Sequence, residues 1–210
     1  MDDVRLSCIA AAAVAREVIA RPEVAAAWDE PSALRKLSVR GLAGHLARSV
    51  VTVSDYLAAA PPEGVPALTA AAYYAAMFPD EDIDSDLNVA VRTRGEEQAV
   101  GGRDALLGLL DALLAHLTEQ LPVEPAARTM RVIGDRLMLL DEYLKTRLVE
   151  LALHIDDLCV SVHIGTPDIP GSEVAIRTLV DVARLHRGDV AVLRSLGRRE
   201  RDEENVLRVF

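Results

Sequence analysis

The chain has 210 residues, 50% of them hydrophobic and only 3% aromatic, and a formal net charge of −10. That length suits one large domain, or one domain with a short appendage, and its mean hydropathy of +0.17 is too apolar for a disordered chain. The acidic balance excludes a general binder of nucleic acid or of anionic membranes, because both need a basic surface.

Alanine and leucine supply much of the apolar content, which favours helix over sheet. Met1-Asp2-Asp3 lacks the positive region of a secretory signal, and the apolar run 6–15 is too short to span a bilayer, so a cytoplasmic location is expected. A first helix is expected over 3–27, bent at Pro22. After a loop holding Trp28, Pro31 and Ser32, Ser38 is the N-cap of a second helix reaching about Ala60, where Pro61-Pro62 stops it. Residues 61–85 are punctuated by Pro62, Gly64, Pro66 and Pro79, with one short helix over 69–77. So long a connection suits a lid over the open end of a cleft. A third long helix spans 86–120, weakened at Gly101-Gly102, and residues 129–139 alternate around Gly134-Asp135 as a small hairpin. Asp141 is expected to cap a fourth long helix that ends before Gly165-Thr166-Pro167. Helices over 172–186 and 189–196 finish the chain. The expected fold is therefore all-α: a four-helix bundle over 1–165 with a possible small hairpin, followed by a short helical extension over 166–210. Cys8 and Cys159 read as reduced core residues. The basic group Arg194, Arg198, Arg199 and Arg201 runs into Asp202, Glu203 and Glu204, which describes a solvated, self-paired tail.

The stretch Arg147-Leu-Val-Glu150-Leu-Ala-Leu-His154-Ile-Asp-Asp157 carries the densest chemistry. Spacings of three, four and three put Arg147, Glu150, His154 and Asp157 on one stripe of a helix. A carboxylate and an imidazole one turn apart can hold one divalent cation, and helix bundles build metal sites from such pairs. The same spacing also describes the wet face of an amphipathic helix. A third ligand would have to come from another helix. His45 lies roughly 120° from the centre of the apolar face formed by Val39, Leu42, Leu46, Val50, Val53 and Leu57, at 100° per residue. It shares that flank with Ser38, Ser49, Thr52 and Tyr56, which places it either on the surface or at a cleft between helices. His116 reads as packing or surface, His163 as a cap on the carbonyls of the stripe helix, and His186 as part of a helix C-terminus.

The segment Trp28-Asp-Glu-Pro31-Ser-Ala-Leu-Arg-Lys-Leu-Ser38-Val-Arg-Gly-Leu-Ala-Gly-His45-Leu-Ala resembles the first motif of the mycothiol-dependent maleylpyruvate isomerase N-terminal family, within the DinB-like metal-binding four-helix bundles. The R-x-x-E-x-x-x-H-x-x-D pattern at Arg147, Glu150, His154 and Asp157 is similar to its second motif. The resemblance covers about residues 5–165. It implies His45, Glu150 and His154 as three protein ligands of a divalent metal, usually zinc, with open positions for water or a thiol. It implies Asp157, with Arg147 as its possible ion-pair partner, in supporting roles. Two departures stand out. Lys36-Leu37 occupies the place of the family's usual glycine-tryptophan, and the α/β domain that completes the isomerase site is not expected within residues 166–210.

Three functions compete on this reading. The first is a thiol-dependent transferase or isomerase, in which mycothiol, fitting an alanine- and arginine-rich composition like that of actinobacterial proteins, attacks an electrophilic substrate. The second is a hydrolase using zinc-bound water, with Asp157 or an acid of the 79–86 loop as base. The third is a non-catalytic metal-binding bundle. The expected partners are a small-molecule thiol and its electrophile, with neither nucleic acid nor membrane, in a monomer or homodimer.

Overall fold

The computed structural model describes residues 3–64, 66, 68–77, 84–201 and 206–209. Helix α1, Val4–Ile19, starts at Asp3, whose carboxylate accepts from the Arg5 and Leu6 amides. Its buried face is Cys8, Ala11, Ala12, Ala15, Val18 and Ile19. The single bent helix expected over 3–27 is instead two. Arg21 is extended, and Pro22, with no N–H to return to the preceding turn, opens a separate helix α2, Pro22–Ala26.

Helix α3, Val39–Ala58, begins at Ser38 as expected: Ser38 Oγ accepts from the Gly41 amide at 2.9 Å and donates to Glu96 Oε1 at 2.6 Å. Just before it, Lys36 has φ +63°, a left-handed conformation that favours glycine. Helix α4, Ala70–Met77, is followed by α5, Asp86–Gln98, and α6, Arg103–Gln120. The expected continuous helix over 86–120 breaks because Gly102 takes φ +83°. The break lets α5 lie along α3 while α6 packs on both α1 and α3. At the α3–α5 crossing, a methyl group at Gly44 would run into the Gly95 carbonyl, and one at Gly95 would lie 3.2 Å from His45 Cβ. Only backbone fits there, so α5 seats directly beside His45.

Strands β1, Thr129–Val132, and β2, Arg136–Leu139, pair antiparallel in the register Thr129↔Leu139 and Met130↔Met138. Gly134 and Asp135 turn the chain with positive φ. Strand β2 runs directly into α7, Leu140–Ser161, so extended Leu139 takes the cap position and Asp141 does not cap the helix. The Asp141 carboxylate instead receives Arg5 Nε at 2.7 Å, while the Arg5 guanidinium also donates to the carbonyls of Leu121, Glu124 and Pro125. At the other end, His163 at φ +59° donates its amide to Val160, and Ile164 donates to Cys159. These bonds satisfy the last carbonyls of α7 in a Schellman arrangement, so His163 caps them through its backbone. Helices α8, Ser172–Arg187, and α9, Asp189–Gly197, follow; α8 packs on α7 and α4, and its Ala175 and Val182 are buried in the core.

The result is an all-α bundle with one small hairpin. Leu42, Leu46, Leu110, Leu144, Leu148, Leu151 and Ile155 fill its centre. Cys8 and Cys159 are buried, unbonded thiols in that core. The segment Arg103–Val123 is long and apolar enough by composition to cross a membrane, but Leu106, Leu110 and Leu117 seat it against the core. Helices α3 and α7 run antiparallel. Tyr143 O–H donates to Thr52 Oγ1 at 2.8 Å toward one end, and His45 meets His154 toward the other.

Candidate metal centre

His45 reaches the α3–α7 interface because its neighbours Leu42 and Leu46 are fully buried and hold that turn of α3 against the core. Glu150 and His154, one turn apart on α7, meet it there. The three donor atoms His45 Nε2, His154 Nε2 and Glu150 Oε2 form a triangle with edges of 3.1, 3.4 and 3.5 Å. All three side chains are 16% exposed, so the cluster is neither sealed nor on the open surface. A circle through the three atoms has a radius of about 1.9 Å, just under a metal–ligand distance of about 2.1 Å, so one ion can touch all three. Two imidazoles and one carboxylate form a borderline donor set suited to zinc and its neighbours.

The surroundings prepare the donors. Asp157 Oδ2 lies 2.9 Å from His154 Nδ1, which fixes the proton on Nδ1 and turns Nε2 toward the site. Burial opposes charge on His154, but hydrogen bonds to Asp157 and Glu150 outweigh it and push its pKa up to about 9. His45 moves the other way, because burial dominates and favours the neutral ring. Burial would raise the Glu150 carboxyl, yet bonds to His154 and His45 and the charge of Arg147 hold it well below the usual range.

Arg147 and Asp157 do not pair. Ten residues separate them, about 15 Å along a helix at 1.5 Å per residue. Arg147 lies 4.8 Å from the centre of the Tyr143 ring, donates Nε to Thr146 Oγ1 at 3.1 Å, and balances the charge of Glu150. The sequence reading also missed Tyr74. Its hydroxyl lies 2.8 Å from Glu150 Oε1 and 2.9 Å from the Thr146 carbonyl. The Tyr73-Tyr74 pair supplies the only polar side chains of α4, which was the one available signal.

The segment expected as a lid divides. Leu68 bridges to Met138 of the hairpin, α4 runs along α7 and carries Tyr74 to the cluster, and residues 78–83, which include part of the 79–86 loop, lie outside the described residues. Asp84 forms an exposed ion pair with Lys36. His116, His163 and His186 are exposed and away from the cluster. A cleft of 360 Å³ between α4, α7, α8 and α9 is lined by Glu142, Lys145, Asp181 and Arg184 and contains none of the three donors. The convergence of donors, not cleft size, marks the candidate metal centre.

Residues 9–159 match the profile of the family described as mycothiol maleylpyruvate isomerase N-terminal domain. The matched span includes all three donors and Asp157. No curated protein and no solved structure shows a significant match to the chain.

Proposed function

We infer the function from a premise the match supplies: the chain belongs to the mycothiol maleylpyruvate isomerase N-terminal domain family, a mycothiol-related group of metal-binding bundles. Our reading is a metal-dependent transferase that joins a low-molecular-weight thiol such as mycothiol to an electrophilic carbon. His45, Glu150 and His154 would hold one divalent ion, zinc, with positions left open. The observation that carries this reading is the convergence, among the described residues, of three donors from two helices, with His45 and His154 109 residues apart in sequence.

When bound, such an ion favours the thiolate form of a thiol at neutral pH. The remaining work falls to the chain. Asp157 keeps Nε2 of His154 turned to the site, and Arg147 offsets the Glu150 charge. In the transfer, the thiol proton passes to solvent, the sulfur–carbon bond forms, and the leaving group departs with the electron pair of its bond.

The hydrolytic alternative is weaker for a specific reason. Water would need a positioned base; Asp157 is engaged with His154, and residues 79–83 of the 79–86 loop lie outside the described residues. The match to a mycothiol-related family instead supports a thiol.

The protein is expected to bind one equivalent of zinc, and the joint substitution of His45→Ala and His154→Ala should abolish binding. With cobalt in place of zinc, adding a thiol should produce an intense near-ultraviolet sulfur-to-metal band. Full metal retention in the double variant would place the ligands elsewhere. A cobalt spectrum indifferent to thiol, with hydrolysis proceeding in its absence, would replace the transferase reading by the hydrolytic one.

A further inference from the structure

We propose that Tyr74 is a positioning residue of the metal centre: its phenol holds Glu150 Oε1 so that the carboxylate offers an ion only one oxygen, Oε2. This rests on the metal reading above and deepens it. The two carboxylate oxygens have different surroundings. Oε2 faces both imidazole nitrogens, at 3.4 and 3.5 Å, whereas Oε1 faces the Tyr74 hydroxyl at 2.8 Å. Swinging Oε1 toward the ion as a second ligand would break a hydrogen bond to a charged group in a buried place. A single-oxygen Glu150 keeps the protein's donors at three and leaves room for a thiol and its acceptor.

The position of Tyr74 does not depend on Glu150 alone. Its side chain is 1% exposed, and its ring packs edge-on to Tyr73 with centroids 5.8 Å apart. Helix α4 is tied to α7 a second time, one turn earlier, where the Ala70 amide donates to Glu142 Oε2 at 2.8 Å. The hydroxyl has one proton and, among its neighbours, meets the acceptors Glu150 Oε1 and the Thr146 carbonyl. The charged carboxylate makes the stronger bond, and the carbonyl steadies the oxygen from the other side. A helix that carries no ligand thereby fixes the coordination of one that does.

The experiment is Tyr74→Phe, which removes one oxygen and keeps the packed ring, with Tyr73→Phe as the neighbouring control. Zinc affinity is read by chelator competition, and coordination by the visible absorption of the cobalt-loaded protein. Loss of an outer partner of a metal ligand weakens binding 10- to 100-fold. That loss is expected in Tyr74→Phe, together with weaker cobalt bands as Oε1 joins the ion and coordination rises. Tyr73→Phe should match the parent in both. If the parent binds zinc and Tyr74→Phe shows the same affinity and cobalt spectrum, Tyr74 is only a packing residue and the proposal is overturned. If the parent itself binds no divalent metal, the underlying metal reading fails instead.

Discussion

Metal binding should release one proton per ion at neutral pH, and His154 is its source. An imidazole can ligate through Nε2 only after losing the proton there, while Asp157 retains the one on Nδ1. Hydrogen bonds to Asp157 and Glu150 push the His154 pKa up to about 9, so at pH 7 removing that proton lowers affinity by a factor on the order of 100. His45 and Glu150 add no further protons there, since both are shifted downward. Zinc affinity measured by chelator competition should therefore rise about tenfold per pH unit from 7 toward 9 and flatten above, at one proton per slope unit. Asp157→Asn should move the break to lower pH by removing one of the charges that raise His154. The metal-free fold carries the opposite signature. A raised His154 pKa stabilises it fully below the ordinary value of 6.5 and ceases to do so as pH rises through about 9. On the acid side, holding His45 neutral costs stability as pH falls below its ordinary 6.5, and the depressed Glu150 withdraws its stabilisation only below the ordinary carboxyl value of 4.5. An affinity flat between pH 7 and 9, with no proton released in weak buffer, would refute this account of His154.

Two glycines in helices should respond in opposite directions to the same substitution. Gly44→Ala gains about 1 kcal/mol of helix propensity but drives a methyl group into the Gly95 backbone, an overpacking cost of about 1–3 kcal/mol. Urea denaturation should show net loss, together with weaker zinc binding, because the same crossing seats α5 beside His45. Gly108→Ala on α6 meets nothing within 4 Å and should stabilise by about 1 kcal/mol. Arg5→Ala should cost about 1.5–3 kcal/mol by thermal denaturation, since one guanidinium serves Asp141 and three backbone carbonyls.

What the sequence revealed followed periodicity and capping chemistry. Ser38, the hairpin turn at Gly134-Asp135, and the ends of α8 and α9 were all legible because local rules govern them. The stripe was legible for the same reason: a spacing of four on a helix is enough to bring Glu150 and His154 together. The misreadings were those that tertiary context decided. Whether Pro22 bends a helix or divides it depends on the residue before it, and Arg21 became extended. Gly101-Gly102 weakened a helix on paper and broke it in the fold, because α6 gains more by packing on α1 and α3. Asp141 had the chemistry of a cap, but an incoming strand filled the position. Tyr74 was invisible for a deeper reason. Its role lies across 76 residues of chain, and no pattern within α4 encodes the partner. Lys36 gave a partial signal: the departure from the family's glycine falls at a positive φ.

The distance between the donors along the chain has a consequence for biosynthesis. His45 emerges from the ribosome 109 residues ahead of His154, an interval of about 5–20 s at the usual rates of synthesis. During that interval a lone imidazole has no partner with which to compete for zinc against cellular chelators. On the metal reading proposed above, an ion would be captured only once α7 has folded back against α3, so its acquisition would report completion of the bundle and would not nucleate it.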